Sequence, residues 1–263
     1  MGDQREILQV LPALLFVAAA GSAQAAPLIN GGFEDGNTNG WTTGGGYRGD
    51  VLNPLVPTDF LPGGSQYEVP SPRSSIITAG TVDPLIGAAL GATVYSGNYS
   101  YRAEDTFTGG YGSVISQKVL NYTDTDIFFA WKAVIEGAHD PRESALMVIE
   151  LRDDTTGQLL ISRVYDGGGG VDGRFSSSGS YFYTPQWQIE QLSIDASLSG
   201  HDFTISLLAA DCAPTGHLGY AYIDGFGAEN PPPGDVPEPA SAALLMLGAG
   251  TLAAVRRRKQ AKA

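Results

Sequence analysis

A short stretch near the start of the chain places oxygen-bearing side chains at alternate positions. Asp35, Asn37 and Asn39 are each separated by one residue, and Gly40 follows them. This D-x-N-x-N-G spacing can turn three oxygen side chains toward one calcium ion around a glycine bend. The twelfth position of such a loop is Gly46 rather than a bidentate glutamate, so the segment is not an EF-hand. The same residue types also build ordinary turns, so a calcium site and a turn both remain open.

Several tyrosines occupy positions from which they could stack on the apolar faces of sugar rings. Tyr181 and Tyr183 share one side of an alternating segment, and Tyr47 lies in a glycine-rich stretch. These three are our candidate ligand-binding residues. Tyr220 and Tyr222 likewise share one face of a later segment. The competing interpretation is that most of these aromatic rings fill or edge the hydrophobic core.

Residues for enzymatic catalysis form no recognisable pattern. The sequence has neither a G-x-S-x-G nucleophile elbow nor an H-E-x-x-H metalloprotease motif. Its three histidines, His139, His201 and His217, fall in apparent turns, and its one cysteine, Cys212, ends an apolar strand, which favours a buried thiol. A single cysteine excludes an internal disulfide framework. We therefore expect a non-enzymatic protein and assign no catalytic residue.

The overall charge and composition narrow the class of protein. A net charge of −13 over 263 residues excludes a typical nucleic-acid-binding protein, because such binding requires a basic surface. Apolar residues make up 43% of the chain, which is enough to form a sizeable core. An acidic surface repels anionic polymers unless divalent cations bridge them, and it is compatible with calcium as a partner.

The middle of the chain, residues 26–230, alternates apolar and polar residues rather than following the 3.6-residue period of a helix. Over residues 127–135 every odd position is apolar, so that face is predicted to lie in the core. Two later runs are predicted to form a hairpin around residues 153–157. About eight to ten such strands predict an all-β, antiparallel sandwich or barrel. The proline-rich residues 52–82 are predicted to be a long surface excursion.

Both ends of the chain are predicted to be targeting segments. Residues 1–25 hold an apolar run and the small-x-small site Ala23-Gln24-Ala25, which predicts a helical signal peptide cut by signal peptidase. Residues 231–239 form a proline-rich linker, and residues 240–263 combine an uncharged run with a basic tail. We expect this last segment to be one short transmembrane helix, because roughly 24 Å of helix plus snorkelling arginines approaches the ~30 Å hydrocarbon core. The basic tail predicts a cytoplasmic C-terminus.

The last segment resembles a known sorting signal. Val236-Pro237-Glu238-Pro239, an apolar run and Arg256-Arg257-Arg258 follow one another in the order of the PEP-CTERM signal of exopolysaccharide-producing Gram-negative bacteria. The resemblance implies that an integral-membrane exosortase recognises the signal and cuts near the Pro-Glu-Pro. The protein would then be anchored transiently in the inner membrane. Afterwards it would reach the cell envelope, the cell surface or the extracellular matrix.

A second resemblance runs through the middle of the chain. Residues 29–36 with Gly40-Trp41, residues 96–102 and residues 219–224 occur in the order found in jelly rolls of the carbohydrate-binding-module type, which have the galactose-binding fold. The resemblance implies one jelly-roll domain over residues 26–230. It also implies an extracellular polysaccharide as a partner.

The jelly-roll family also implies a metal site. In that family a glutamate of the first strand and an aspartate of the last strand meet at a structural calcium ion. The matching positions in this sequence are Glu34 and Asp224. They join Asp35, Asn37 and Asn39 as candidate calcium ligands.

Together these observations predict an exported, exosortase-sorted protein of the envelope or exopolysaccharide matrix, with a non-catalytic, carbohydrate-associating jelly roll. The carbohydrate role rests on likeness of fold, which alone does not establish function. One alternative is a structural or adhesive surface protein without a sugar site. Another is a polysaccharide hydrolase or lyase, since many carboxylate pairs could be drawn from an acidic chain.

Overall fold

Two antiparallel β-sheets packed face to face form the body of the protein. The computed structural model describes residues 28–70 and 73–233. The predicted all-β, antiparallel sandwich is confirmed. The described part of the chain contains twelve strands, more than the predicted eight to ten. The unpredicted strands include Ser75–Thr78, inside the proline-rich excursion, and the three-residue Ser176–Ser178, which is too short to show an alternating pattern.

The strands follow one another with few helical interruptions. Two single-turn 3-10 helices, Pro57–Phe60 and Ala88–Leu90, lie in the connections on either side of the second strand. In chain order the strands are β1 (Thr42–Tyr47), β2 (Ser75–Thr78), β3 (Tyr99–Ala103), β4 (Tyr111–Tyr122), β5 (Asp126–Glu136), β6 (Leu146–Asp153), β7 (Gln158–Asp166), β8 (Ser176–Ser178), β9 (Tyr181–Tyr183), β10 (Gln188–Ser193), β11 (His201–Ala210) and β12 (Gly219–Gly227).

The order of the strands is that of a jelly roll rather than a meander. The first sheet has the order β1–β4–β11–β6–β7. The second has the order β2–β3–β12–β5–β9–β8, and β10 also pairs with β5. Strands that are neighbours in a sheet are mostly distant in sequence, so the chain crosses repeatedly between the two sheets. The first and last described segments meet as a result, since the N–H of Phe226 donates to the carbonyl of Gly31.

The main core lies between the two sheets and is built from alternate residues of the central strands. On β5, Ile127, Phe129 and Trp131 are buried in this core, which confirms the face predicted from the sequence. Phe203 and Ile205 of β11 belong to the same cluster from the opposite sheet. Because successive side chains alternate, the intervening residues of each strand lie on the outer faces.

The outer faces of both sheets are partly apolar, and the long connections cover them. Phe60 of the first 3-10 helix is fully buried against the outer face of the first sheet, in a cluster with Val114 of β4. Leu90 of the second 3-10 helix is buried in the same way with Tyr220 and Tyr222 of β12. The protein therefore has one core between its sheets and two smaller clusters outside them.

The prediction of a surface excursion over residues 52–82 needs correction. Leu55 and Phe60 are both buried, and the segment also contributes β2 to the second sheet. The spacing of the prolines correctly predicted an irregular backbone in this segment. It could not show that the few apolar residues between the prolines cover a sheet.

The hairpin predicted around residues 153–157 is confirmed between β6 and β7. The Asp153 carboxylate accepts the N–H groups of Thr155 and Thr156 at 2.9 and 3.2 Å, and Gly157 adopts a φ of +76°. Aspartate at the start of a turn supplies the hydrogen-bond acceptor, and glycine at its end adopts the positive φ.

The targeting segments predicted at the two ends fall outside the described residues. These segments are the predicted signal helix over residues 1–25, the predicted transmembrane helix over residues 240–263 and most of the linker before it. Within residues 28–70 and 73–233, no helix has the length and apolar character needed to cross a membrane.

We expect Phe60→Ala to lower the free energy of unfolding by about 3–5 kcal/mol, because it leaves a cavity in a sealed apolar cluster. Urea unfolding followed by tryptophan fluorescence would measure this loss. Val56→Ala, at an exposed position of the same segment, is the matched control and should have little effect. A loss below about 1 kcal/mol for Phe60→Ala would mean that the segment unfolds separately from the sandwich.

Candidate functional site

Two aromatic side chains of the described residues are largely exposed. Tyr47 is 43% exposed and Phe107 is 72% exposed. Tyr47 ends β1 and pairs in register with Tyr111, the first residue of β4. The centroids of these two tyrosine rings are 5.6 Å apart and their planes meet at 61°, an edge-on contact. The tyrosine–arginine patch is the name we give to Tyr47, Arg73, Asp105, Phe107 and Tyr111.

A glycine pair lets the elements of this patch approach one another. Gly110 immediately precedes β4 and has a φ of +73°, which side-chain-bearing residues adopt at a cost. A Cβ atom at Gly110 would lie 3.0 Å from Cε2 of Tyr47 and 2.8 Å from Cγ2 of Thr215. A Cβ atom at Gly109 would lie 2.9 Å from Nη1 of Arg73. Glycine at both positions is therefore a packing requirement of the patch.

Arg73 organises the polar half of the patch. Its guanidinium donates two hydrogen bonds to the carboxylate of Asp105, at 2.8 and 3.1 Å, and a third to the carbonyl of Phe107 at 2.7 Å. The Cζ atom lies 4.9 Å from the centroid of the Tyr111 ring, in a cation–π contact. Asp105 and its neighbours raise the pKa of Arg73 against the effect of burial, so the guanidinium stays charged.

Two fully buried carboxyl groups, Glu104 and Asp211, lie beneath Arg73. Nε of Arg73 is 2.6 Å from Oε1 of Glu104, and its Nη1 is 3.5 Å from Oδ2 of Asp211. Burial raises the pKa of Glu104 to about 8 and that of Asp211 to about 7. Oδ1 of Asp211 accepts no hydrogen bond from the described residues, and Oε1 of Glu104 has the ion pair with Arg73 but no hydrogen bond. Near neutral pH this pair therefore holds protons that exposed carboxyl groups would have lost.

The patch offers two kinds of contact to a ligand. The exposed ring of Tyr47 can pack against an apolar face, and aromatic contacts of this kind contribute about 0.5–1.5 kcal/mol beyond the burial of area. The carboxylate of Asp105, which Arg73 holds in place, can accept hydrogen bonds from hydroxyl groups at the rim. An apolar face bordered by hydroxyl groups is the chemistry of a sugar ring.

Glu34 and Asp224 do come together, as the jelly-roll resemblance implied. Both line one open cavity of about 580 Å³. A Cβ atom at Gly32 would lie 3.5 Å from Oδ1 of Asp224 and 4.0 Å from Cγ of Glu34, so the two side chains flank the same glycine. Backbone N–H groups hold both carboxylates, those of Asn98 and Tyr99 bonding Glu34.

Burial makes the carboxyl group of Asp224 reluctant to ionise. Asp224 is fully buried, and burial raises its pKa to about 7, with the negative charge of Glu34 adding a smaller effect. Two acidic groups from different segments face one cavity, and one of them is reluctant to ionise. A cation that prefers oxygen ligands would offset both the repulsion between the two charges and the cost of ionising the buried group. The residues therefore fit calcium at this position.

Asp35, Asn37 and Asn39 form a self-contained turn. Asn30 donates through Nδ2 to the carbonyl of Asn37 at 2.9 Å, and the N–H of Asn39 donates to Oδ1 of Asn37 at 2.8 Å. The Nδ2 group of Asn37 donates to the carbonyl of Asp35. The side-chain oxygen of Asn37 is thus engaged in an Asx turn. The five predicted calcium ligands fall into two sets with different hydrogen-bond partners.

The three candidate tyrosines do not share a surface. Tyr47 lies on the first sheet, whereas Tyr181 and Tyr183 lie on β9 of the second. Tyr183 is buried in the outer cluster of that sheet together with Tyr220 and Tyr222. The last two donate their hydroxyl groups to the buried Asp83, so neither ring is open for stacking. Tyr47 is the one of the three with an exposed ring.

Arg73 and Phe107 are patch residues that the sequence did not single out. Arg73 follows a proline in the irregular segment, and Phe107 lies in a loop between β3 and β4. Neither belongs to a motif, and Arg73 pairs with Asp105 across 32 residues of chain. No local signal marks a contact of that kind.

Comparison with known proteins identifies the end of the chain. The profile of the PEP-CTERM protein-sorting motif matches residues 235–259. The chain carries a PEP-CTERM sorting motif. The predicted motif residues Val236, Pro237, Glu238 and Pro239, with Arg256, Arg257 and Arg258, all lie within the match. A motif of this type implies export, processing by an exosortase and sorting at the membrane. No curated protein matches this chain.

Solved structures resemble the sandwich at low identity. TmCBM61, solved in complex with β-1,4-galactotriose, is 13% identical with a TM-score of 0.40, and the match covers 76% of this chain and 94% of that one. CBM27-1 of Caldicellulosiruptor saccharolyticus, solved with mannohexaose, is 12% identical with a TM-score of 0.36, covering 80% and 100%. The K1 adhesin domain of Lys-gingipain from Porphyromonas gingivalis W83 is 10% identical with a TM-score of 0.33, covering 73% and 92%. At such identities the likeness concerns architecture and says nothing of a ligand.

Between about pH 5 and pH 8 we expect the protein to lose stability as the pH rises. The folded-state pKa values of Glu104 and Asp211 lie above the value of about 4 for an exposed carboxyl group, so the folded state binds more protons across this range. Deprotonation of these groups then favours unfolding. Urea midpoints measured across the range would show the slope.

Glu104→Gln should reduce this slope, because glutamine keeps the shape of the side chain and cannot ionise. The control Glu68→Gln changes an exposed carboxylate and should leave the slope unchanged. Stability that increases from pH 5 to pH 8 would contradict the assignment of buried protons to this pair.

Proposed function

We propose that this protein is exported, sorted by an exosortase into the cell envelope or exopolysaccharide matrix, and associates there with neutral carbohydrate without acting on it. The observation that carries the carbohydrate role is the tyrosine–arginine patch. It combines the exposed ring of Tyr47 with the carboxylate of Asp105, which Arg73 holds in place. Small-molecule sites typically combine aromatic surface with a few fixed polar groups in this way.

The position of the sorting motif supports the first half of this proposal. β12 ends at Gly227, and residues 228–233 have no regular secondary structure. The motif begins at residue 235. The cleavage region of an exosortase would thus lie beyond the last strand of the sandwich.

The charge of the protein favours neutral sugars over acidic ones. The net charge is −13, so anionic polysaccharides are repelled at long range. Arg73 does not reverse this locally, because its guanidinium is already paired with Asp105. Neutral hexose polymers avoid the repulsion and present the hydroxyl groups that the patch can bind.

The position of the acidic groups supports a binding role over hydrolysis. A general acid needs a raised pKa, and Glu104, Asp211 and Asp224 have one. Glu104 and Asp211 are fully buried beneath Arg73, however, and Asp224 is fully buried too, so none of the three is exposed to a glycosidic oxygen. The effect of Glu104 and Asp211 is to fix Arg73 from below.

Calcium at Glu34 and Asp224 is the structural part of the proposal. The ion would neutralise the repulsion between the two carboxylates and link the first described segment to β12. It would also contact the loop that holds Ser96, whose N–H donates to Asp224 at 3.2 Å. Both carboxylates lie at the end of the sandwich from which the chain continues toward the sorting motif.

We expect the full chain, purified in detergent, to be retarded in native gels that contain a neutral polysaccharide such as galactan or mannan. Tyr47→Ala should weaken this binding about tenfold, since one aromatic contact contributes roughly 0.5–1.5 kcal/mol. Tyr181→Ala, on the other sheet, is the matched control and should bind normally.

Each other result points to a different function. Equal losses for the two variants would remove the patch as the site. No retardation by any polysaccharide would favour the structural or adhesive alternative. Release of reducing sugar ends by the purified protein would establish a hydrolase.

Calcium is expected to raise the melting temperature of the full chain relative to the same protein in chelator. Saturation at 100 times the dissociation constant corresponds to about 2.7 kcal/mol. Combining Glu34→Gln with Asp224→Asn should abolish the increase, whereas Asp35→Asn, in the neighbouring turn, should retain it. Circular dichroism would confirm that each variant is folded. Identical melting curves with calcium and with chelator would exclude the site.

A further inference from the structure

Three metal-ligating side chains meet where two loops face each other at one end of the sandwich. His139 lies in the loop between β5 and β6, and Cys212 and His217 lie in the loop between β11 and β12. Their ligand atoms, Sγ of the cysteine and one ring nitrogen of each histidine, all lie within 4.8 Å of one another. Cys212 is buried, as its apolar context predicted, whereas His139 is exposed.

The backbone of the second loop places Cys212 and His217 side by side. The N–H of Cys212 donates to the carbonyl of His217 at 2.9 Å, and the N–H of His217 donates to Sγ of Cys212 at 3.2 Å. His139 reaches this pair from the first loop, where its backbone has a φ of +65°. Its ring centroid lies 4.8 Å from that of His217, with the planes at 74°.

Two of the three distances between the ligand atoms are close to those that a tetrahedral ion imposes. With Zn–N bonds of about 2.05 Å and a Zn–S bond of about 2.3 Å, two nitrogens are separated by about 3.3 Å and sulfur from nitrogen by about 3.6 Å. Nε2 of His139 is 3.0 Å from Nδ1 of His217, and Sγ of Cys212 is 3.7 Å from the same Nδ1. The third distance, from Cys212 to His139, is within 4.8 Å and would have to shorten when an ion binds, by movement of the exposed His139.

We propose that His139, Cys212 and His217 form a binding site for a zinc-class divalent ion. One sulfur and two imidazole nitrogens are ligands that suit Zn²⁺, whereas Ca²⁺ and Mg²⁺ prefer oxygen. On binding, the thiol of Cys212 becomes a thiolate and its proton passes to solvent, while each histidine coordinates through a neutral nitrogen. The fourth position faces solvent on the side of His139.

The ion would fix the loop that supports the tyrosine–arginine patch. Asp211 directly precedes Cys212, and its carboxylate accepts the N–H of Gly110 at 3.0 Å. Thr215, between the two loop ligands, lies against Gly110 on its other side. The zinc site itself does not depend on what the patch binds, since none of its ligands belongs to the patch.

The test uses the full chain, purified without a polyhistidine tag, kept reduced and stripped of metal with a chelator. Competition with a chromophoric zinc indicator should show one tightly bound Zn²⁺ per chain. Co²⁺ in place of Zn²⁺ should give a thiolate-to-cobalt charge-transfer band in the near ultraviolet and strong visible bands of tetrahedral coordination. These spectra report the bond to Cys212 directly.

Cys212→Ser and His139→Gln should each weaken Zn²⁺ binding at least about 100-fold, and Cys212→Ser should also remove the charge-transfer band. His201→Gln is the matched control. This third histidine was predicted to lie in a turn, but it is the first residue of β11 and bonds Asp153. Its variant should therefore bind Zn²⁺ normally. Because His139 is exposed, its variant still decides the matter if Cys212→Ser does not fold. Wild-type protein that binds no Zn²⁺, or equal affinities of His139→Gln and His201→Gln, would overturn the proposal.

Discussion

A fully buried arginine holds together the end of the sandwich at which the patch and the histidine–cysteine cluster lie. Arg48 follows β1 and donates to the carbonyls of Val51, Ser144 and Asp211 and to Oδ1 of Asn53, at distances between 2.6 and 3.2 Å. Burial lowers the pKa of Arg48 to about 10, which still leaves it charged at neutral pH. A buried cation is tolerated only where such acceptors surround it. The three segments that supply them, at residues 51–53, 144 and 211, are therefore constrained to converge on one side chain.

The positions of the two candidate sites follow from this convergence. Tyr47 directly precedes Arg48, so the exposed ring is fixed at the end of β1. Ser144 anchors the loop that contains His139, and Asp211 anchors the loop that begins with Cys212. A ligand site made from loops needs such an anchor, because loops without buried contacts open easily. Arg48 is this anchor, at the end of the sandwich where β1 stops.

Local features of the molecule could be predicted from sequence, whereas a long-range approach could be predicted only where the family resemblance implied it, as for Glu34 and Asp224. The inward face of β5 and the turn at Asp153 depend on residues within a few positions of each other, and both were predicted correctly. Arg48 reaches Asp211 across 163 residues, and Arg73 reaches Asp105 across an irregular segment. The alternation of apolar and polar residues gives no signal for such distant pairs. The spacing of Asp35 and its neighbours shows the opposite risk, since asparagine oxygens that suit a cation also satisfy the backbone of a turn.

The unfavourable features of the structure are concentrated beneath the patch. Glu104 is fully buried with a φ of +68°, and it and Asp211 each keep a carboxyl oxygen without a hydrogen bond from the described residues. A sandwich of this size could replace that acidic pair by apolar side chains and gain stability. Retaining buried acids, a positive φ and two obligatory glycines is costly, and the shared result is one guanidinium held against Tyr111, whose ring contacts that of the exposed Tyr47. Strain that accumulates around a single surface feature indicates that the feature has a function, because sequences without such a demand would relax it.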